Sequence, residues 1–290
     1  MNKPADAPEV SGFYHEPTGS IVYLVIDPAT KHAAIVDPVL DYDEKSGRVS
    51  HETADALLAE IEKRGLKIDW ILDTHAHADH FSAASYLKEK LGAPTAIGAK
   101  IVEVQKLWRK IYNLPDDAFR EKSWDRLFAD GETFDIGSLQ ARVMLSPGHT
   151  PCSITYAVGD AVFVHDTLFQ PDSGTARCDF PGGSARTLYH SIQAILALPG
   201  DTRVFTGHDY RPGGRPAKWE STVAEQKRTN PHIKNNSGED EFVRIREARD
   251  RTLPMPKLIL HALQVNLRGG RLPPPEADGR SYLKIPVGAL

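Results

Sequence analysis

The sequence predicts an α/β fold. Short runs rich in Val and Ile alternate with segments of helical spacing, Gly, Pro and Asp punctuate the exits, and ligand-type side chains recur where the apolar runs end. "SIVYLVID" (20–27) and "HAAIVDP" (32–38) read as the strands of an opening hairpin. "SHETADALLAEIEKRGLK" (50–67) carries apolar residues at helical spacing up to Gly65, so a helix feeds the strand "IDWILDT" (68–74). "FSAASYLKEKLG" (81–92) is a second helix and "PTAIGA" (94–99) a further strand. Residues 100–128 break this rhythm, with Val104, Leu107, Ile111 and Leu114 on one helical stripe. This helical insertion is expected to form a lid or a contact surface, with packing against the parent domain as the alternative. Three strand-rich blocks follow, "FDIGSLQARVMLSPGHT" (134–150), "SITYAVGDAVFVHDTLF" (153–169) and "TRVFTGHDY" (202–210), each carrying a histidine, an aspartate or both near its end. From about residue 235 the chain becomes charged and then Pro/Gly-rich, which predicts a C-terminal extension over 235–290 packed on a main domain of 12–234.

Composition narrows the partners. A net charge of −4, from 35 basic and 39 acidic residues mixed along the chain, leaves no electrostatic footprint for nucleic acid or an anionic membrane. No stretch approaches the roughly eighteen apolar residues of a membrane span, and the first residues lack the apolar core of a secretion signal. Cys152 and Cys178 form no CxxC pair, which suits a reducing compartment. A soluble, cytoplasmic protein is expected.

The ligand-type residues are His75, His77, Asp79, His80, His149, Asp166 and His208. Side chains at i and i+2 of an extended segment point the same way, so His75 and His77 address one metal position while Asp79 and His80 face a neighbouring one. A lone histidine is ordinarily a surface or satisfied core residue, but a cluster with further His and Asp at three later strand ends is a specific metal signature.

"THAHADH", "SPGHT", "HDTLF" and "TGHDY" resemble, in order, the motifs of the metallo-β-lactamase superfamily, over about residues 12–230. The resemblance implies an αββα sandwich with a metal site at one edge. "IVDPVLD", "GTARCDF", "RTLYHSIQAILALPGD" and "EQKRTNPHI" are similar to the persulfide dioxygenases, also called sulfur dioxygenases. That family implies one Fe(II) per chain held by His75, His149 and Asp166, with glutathione persulfide and O2 as substrates, sulfite and glutathione as products, and a homodimer. His77, Asp79, His80 and His208 then form an outer shell that orients ligands and bound water. On paper they also complete a second zinc site, so a binuclear thioester hydrolase of the glyoxalase II type is the alternative. Arg177 and Tyr189 match positions associated with the glutathione moiety. Two departures stand out: His165 where the family commonly has Gly, and Cys178 where Thr is frequent, either a packed small residue or a thiol beside the persulfide. The insertion and the long C-terminus point to a bacterial subgroup rather than the mitochondrial form, and no room for a fused rhodanese domain is expected.

Overall fold

The structure, a computed structural model, describes residues 7–119, 122–234 and 238–290. The chain opens with β1 (Glu9–His15), β2 (Ser20–Ile26) and β3 (His32–Val36), then the hairpin β4 (Val39–Asp43) and β5 (Arg48–Ser50). Helix α1 (Glu52–Arg64) stops at Gly65, whose φ of 61° closes the last turn, and leads into β6 (Lys67–Leu72). After the histidine-rich loop come β7 (Phe81–Ser82), α2 (Ala84–Leu91), β8 (Thr95–Gly98), α3 (Ile101–Ile111) and β9 (Arg126–Phe128). The second half holds β10 (Thr133–Ile136), β11 (Leu139–Leu145), β12 (Ile154–Val158), β13 (Ala161–His165), α4 (Ala185–Leu196), β14 (Arg203–Thr206), β15 (Glu220–Thr222), α5 (Val223–Thr229), α6 (Glu239–Asp250) and α7 (Ile259–Asn266).

Two mixed sheets, ordered β1-β2-β3-β6-β8-β9 and β10-β11-β12-β13-β14-β15, pack face to face. Strand β2 shows why its sequence runs apolar without alternation: Ile21, Tyr23 and Val25 enter the core between the sheets, while Val22, Leu24 and Ile26 face α1, α2 and α7 on the outside. The rings of Phe163 and Phe205 meet Tyr23 edge-on at 5.3 and 5.6 Å, tying the sheets together. Helices α4 and α6 cover the outer face of the second sheet, completing the αββα layering.

The insertion differs from its expected form. Segment 100–128 returns as β9 to extend the first sheet beside β8; Arg120 and Glu121 lie outside the described residues. On α3 the buried side chains are Ile101, Val104 and Trp108; Leu107, Ile111 and Leu114 are half-buried, and α7 covers this face with Ile259, Leu263 and Leu267. The stripe packs against α7, as the alternative expected, while Leu107, Ile111 and Leu114 keep part of their surface exposed. The C-terminal segment is equally engaged, α6 on α4 and α7 on β7; the expected boundary at 234/235 falls at residues 235–237, outside the described ones.

Candidate metal centre

Strands β11, β13 and β14 run in one direction, so their C-terminal ends share one sheet edge, and a backbone bridge between Ser20 and His208 brings the first sheet to that edge. His149, Asp166 and His208 leave those three ends; His75, His77, Asp79 and His80 arrive from the end of β6. Sequence expectation and structure agree that these seven residues converge. One ligand atom from each of His75, His149 and Asp166 lies within 4.8 Å of the others, and the same holds for His77, Asp79 and His80.

Hydrogen bonds fix which nitrogen each histidine offers. Asp37, whose carboxylate accepts the Thr74 N–H and hydroxyl at 2.7 and 2.8 Å, organises the first pair. With the Thr74 hydroxyl donating to Asp37, its oxygen accepts the His75 Nδ1–H at 3.0 Å, leaving Nε2 with a free lone pair. His77 donates Nε2–H to Asp37 at 2.9 Å. Burial lowers the His77 pKa, but the Asp37 carboxylate outweighs it and pushes it up to about 9. His149 donates Nδ1–H to the Arg177 carbonyl at 2.8 Å, so its Nε2 faces Asp166, 3.8 Å away. His75 Nε2, His77 Nδ1, His80 Nε2 and His165 Nδ1 are buried without a hydrogen-bond partner among the described residues. His75 Nε2, orphaned in the group that holds His149 and the buried Asp166 carboxylate, fits a divalent cation there, since an unpaired buried polar atom is otherwise costly.

His208 sits between two carboxylates, with Nδ1 2.6 Å from Asp166 and Nε2 2.7 Å from Asp79. Burial opposes its charge, yet Asp166 and Asp79 hold the His208 pKa well above its ordinary value; His208 in turn draws Asp166 down to about 2 against its own burial. A further hydroxyl joins the network. Ser20 Oγ lies 2.9 Å from Asp79 Oδ2, 3.2 Å from His80 Nδ1 and 3.1 Å from His208 Nε2. Sequence reasoning missed Ser20, which occupies an ordinary strand start, and Asp37, although the motif "IVDPVLD" contains it.

The site opens into a cavity of about 990 Å³ whose lining includes Asp79, His80, His149 and Asp166. Arg177 lines it as expected, but each of its nitrogens already has an acceptor: Nε and one Nη bond the Asp179 carboxylate at 2.7 and 2.8 Å, and the other Nη bonds the Pro254 carbonyl at 2.6 Å. Arg48 and Arg249 also line the cavity, without a carboxylate partner among the described residues.

Tyr189 does not reach the cavity. It packs against Phe242 of α6 at 5.6 Å, because its neighbours on α4 orient that helix toward the His149 loop instead. Ser191 donates to the Pro147 carbonyl at 2.6 Å, and Leu188 lies so close to Gly148 that a Cβ there would meet its backbone at 2.4 Å. The phrase "TLYHS" thus supports "SPGHT" rather than a substrate. His165, at the position expected to carry Gly, holds a positive φ of 42°, the conformation glycine adopts most readily. Its Nε2 is tied to Ser146 and Thr167, and burial draws it down to about 3, so it is neutral. Cys178 is a buried thiol whose pKa burial raises, with its backbone N–H on Asp250.

A model of the metallo-beta-lactamase superfamily matches residues 16–208. A "Beta-lactamase hydrolase-like protein" of Xylella fastidiosa is 64% identical over 98% of this chain, which spans only 65% of that relative's length. "Glyoxylase B2" of Dictyostelium discoideum is 49% identical, with 92% of each chain aligned. "Persulfide dioxygenase ETHE1, mitochondrial" of Bos taurus is 28% identical over 87% of this chain and 85% of its own. The crystal structure of ETHE1 from Myxococcus xanthus superposes with a TM-score of 0.73 at 30% identity, covering 91% of this chain and 100% of that one.

Proposed function

Given that the chain belongs to the metallo-beta-lactamase superfamily, we propose that it is a persulfide dioxygenase, oxidising glutathione persulfide with O2 and water to sulfite and glutathione at one iron held by His75, His149 and Asp166. The observation that carries this reading is the Ser20 network: Asp79 Oδ2 already accepts from Ser20, His80 and His208, so protein donors engage that oxygen, whereas no protein donor among the described residues engages Asp166 Oδ2 beside His149. Two imidazoles and a carboxylate on one face suit divalent iron, which leaves positions open for a sulfur and for dioxygen and supplies redox chemistry that zinc lacks. The similarity to ETHE1 proteins supports the same reading.

The protein's own residues orient and exclude. The Arg177 carbonyl fixes the His149 tautomer, while the Arg177 guanidinium stacks over Phe180, whose ring meets His149 edge-on. His208 holds a proton between Asp166 and Asp79. Phe169, Phe180, Leu253 and Met255 give the cavity apolar walls that limit water near the metal. The two carboxylates of glutathione are met by Arg48 and Arg249, whose guanidinia have no carboxylate partner among the described residues, more than by Arg177.

One observation favours a second reading, a binuclear zinc thioester hydrolase of the glyoxalase II type: His77 Nδ1 and His80 Nε2 are orphaned beside Asp79. Protein purified without added metal separates the two. One iron per chain with oxygen uptake on glutathione persulfide supports the dioxygenase; two zincs per chain with oxygen-independent cleavage of a glutathione thioester overturns it.

A further inference from the structure

The histidine-rich loop has little regular structure of its own, and an outside side chain holds it. Asn266, the last residue of α7 and only 3% exposed, donates its Nδ2 hydrogens to the carbonyls of His77 at 2.8 Å and His80 at 2.7 Å. Its Oδ1 accepts the Ser82 N–H at 2.7 Å. One carboxamide thus makes three hydrogen bonds to a six-residue span, residues 77–82, that carries Asp79 and His80 and follows His75. Among the described residues no backbone N–H reaches the carbonyl of His77 or His80. The helix is itself anchored, since Leu263 and Leu267 pack in one cluster with Ala76 and Ala78 of the loop and Trp108 of α3. Just beyond α7, Gly270 at φ 84° passes so near Ser82 that a Cβ would lie 2.4 Å from its carbonyl oxygen.

We infer that Asn266 is a positioning residue for the metal centre: its carboxamide sets the spacing between His77 and His80, and with it where Asp79 and His75 present their ligand atoms. Residue 266 lies beyond the 16–208 span of the superfamily match, so the C-terminal helix completes a site whose ligands all come from the matched region. A carboxamide suits the task because it offers two donors and one acceptor in a rigid plane, which no hydroxyl does. The inference rests on the metal-binding part of the proposed function and is independent of the reaction catalysed.

The test is cobalt(II) titration of the metal-free protein, followed by its visible absorption and by a competing chelator, with thermal melts of the metal-free forms alongside. Asn266→Ala is expected to weaken cobalt binding about ten- to hundredfold and to alter the spectrum. Asn266→Asp, which keeps the shape but sets an acceptor against two carbonyls, is expected to do the same and serves if the alanine variant fails to fold. Gln264→Ala removes the hydrogen bonds that tie the same helix to Lys284, away from the loop; it should lower the melting temperature and keep wild-type affinity and spectrum. Wild-type cobalt affinity in both Asn266 variants, or a loss in Gln264→Ala equal to theirs, overturns the inference alone. A wild-type protein that takes up no metal overturns the metal reading and this inference with it.

Discussion

The two walls of the metal centre are built on opposite plans. On the histidine-rich wall, residues 75–80, protein groups engage much of the polar chemistry: Asp37 orders His75 and His77, Ser20 and His208 engage Asp79, and Asn266 holds the backbone. On the facing wall His149 and Asp166 are held more sparsely, one by the Arg177 carbonyl and the other by His208, and their remaining ligand atoms lie 3.8 Å apart. Hence the density of ligand-type residues in a sequence does not count the metals. A crowded loop carries ligand-type residues together with groups that hold them in place, and His208 joins the two walls through Asp166 and Asp79.

The comparison breaks most sharply at Asp166. Asp166→Ala should abolish metal binding and oxygen uptake together, because two imidazoles alone lack both charge compensation and the third ligand. Normal iron content by metal analysis would show that the sparse wall does not hold the metal. His208→Ala should have a smaller effect, retaining most of the iron while activity falls about ten- to hundredfold, the scale of losing a group that orients ligands. Stoichiometric metal loss in that variant would make His208 a ligand and turn the histidine-rich wall into a second metal site. Smallest of all should be Tyr189→Phe, with kcat/KM unchanged, since the ring packs on Phe242 and lines no part of the cavity. A raised KM for glutathione persulfide would restore the role suggested by the resemblance and mean that α4 moves when substrate binds.

Much of this was legible because it is local. Helix α1 ends at Gly65 because glycine adopts a left-handed φ at little cost, and the strands of the opening hairpin announce themselves by composition. The ligand motifs were readable for a related reason: each follows a strand, and strands of one direction deliver their C-terminal ends to a common edge, which gathers His149, Asp166 and His208, whereas His75 arrives from β6 of the other sheet. Other residues had no local signature. Ser20 and His208 are 188 residues apart, and Asn266 lies 186 from His80; nothing near a serine or an asparagine in the chain says which carboxylate or carbonyl it will meet. The stripe on α3 was correctly periodic, yet periodicity states only that a face is covered, and α7 as its cover follows from the path of the C-terminal segment. Tyr189 and Arg177 were placed near the substrate by motif position; packing turned the first toward α6 and gave the second to Asp179. Residue type and spacing are properties of the backbone period, whereas hydrogen-bond partners are chosen by the competition among all buried groups for the same donors and acceptors, which the folded chain alone resolves.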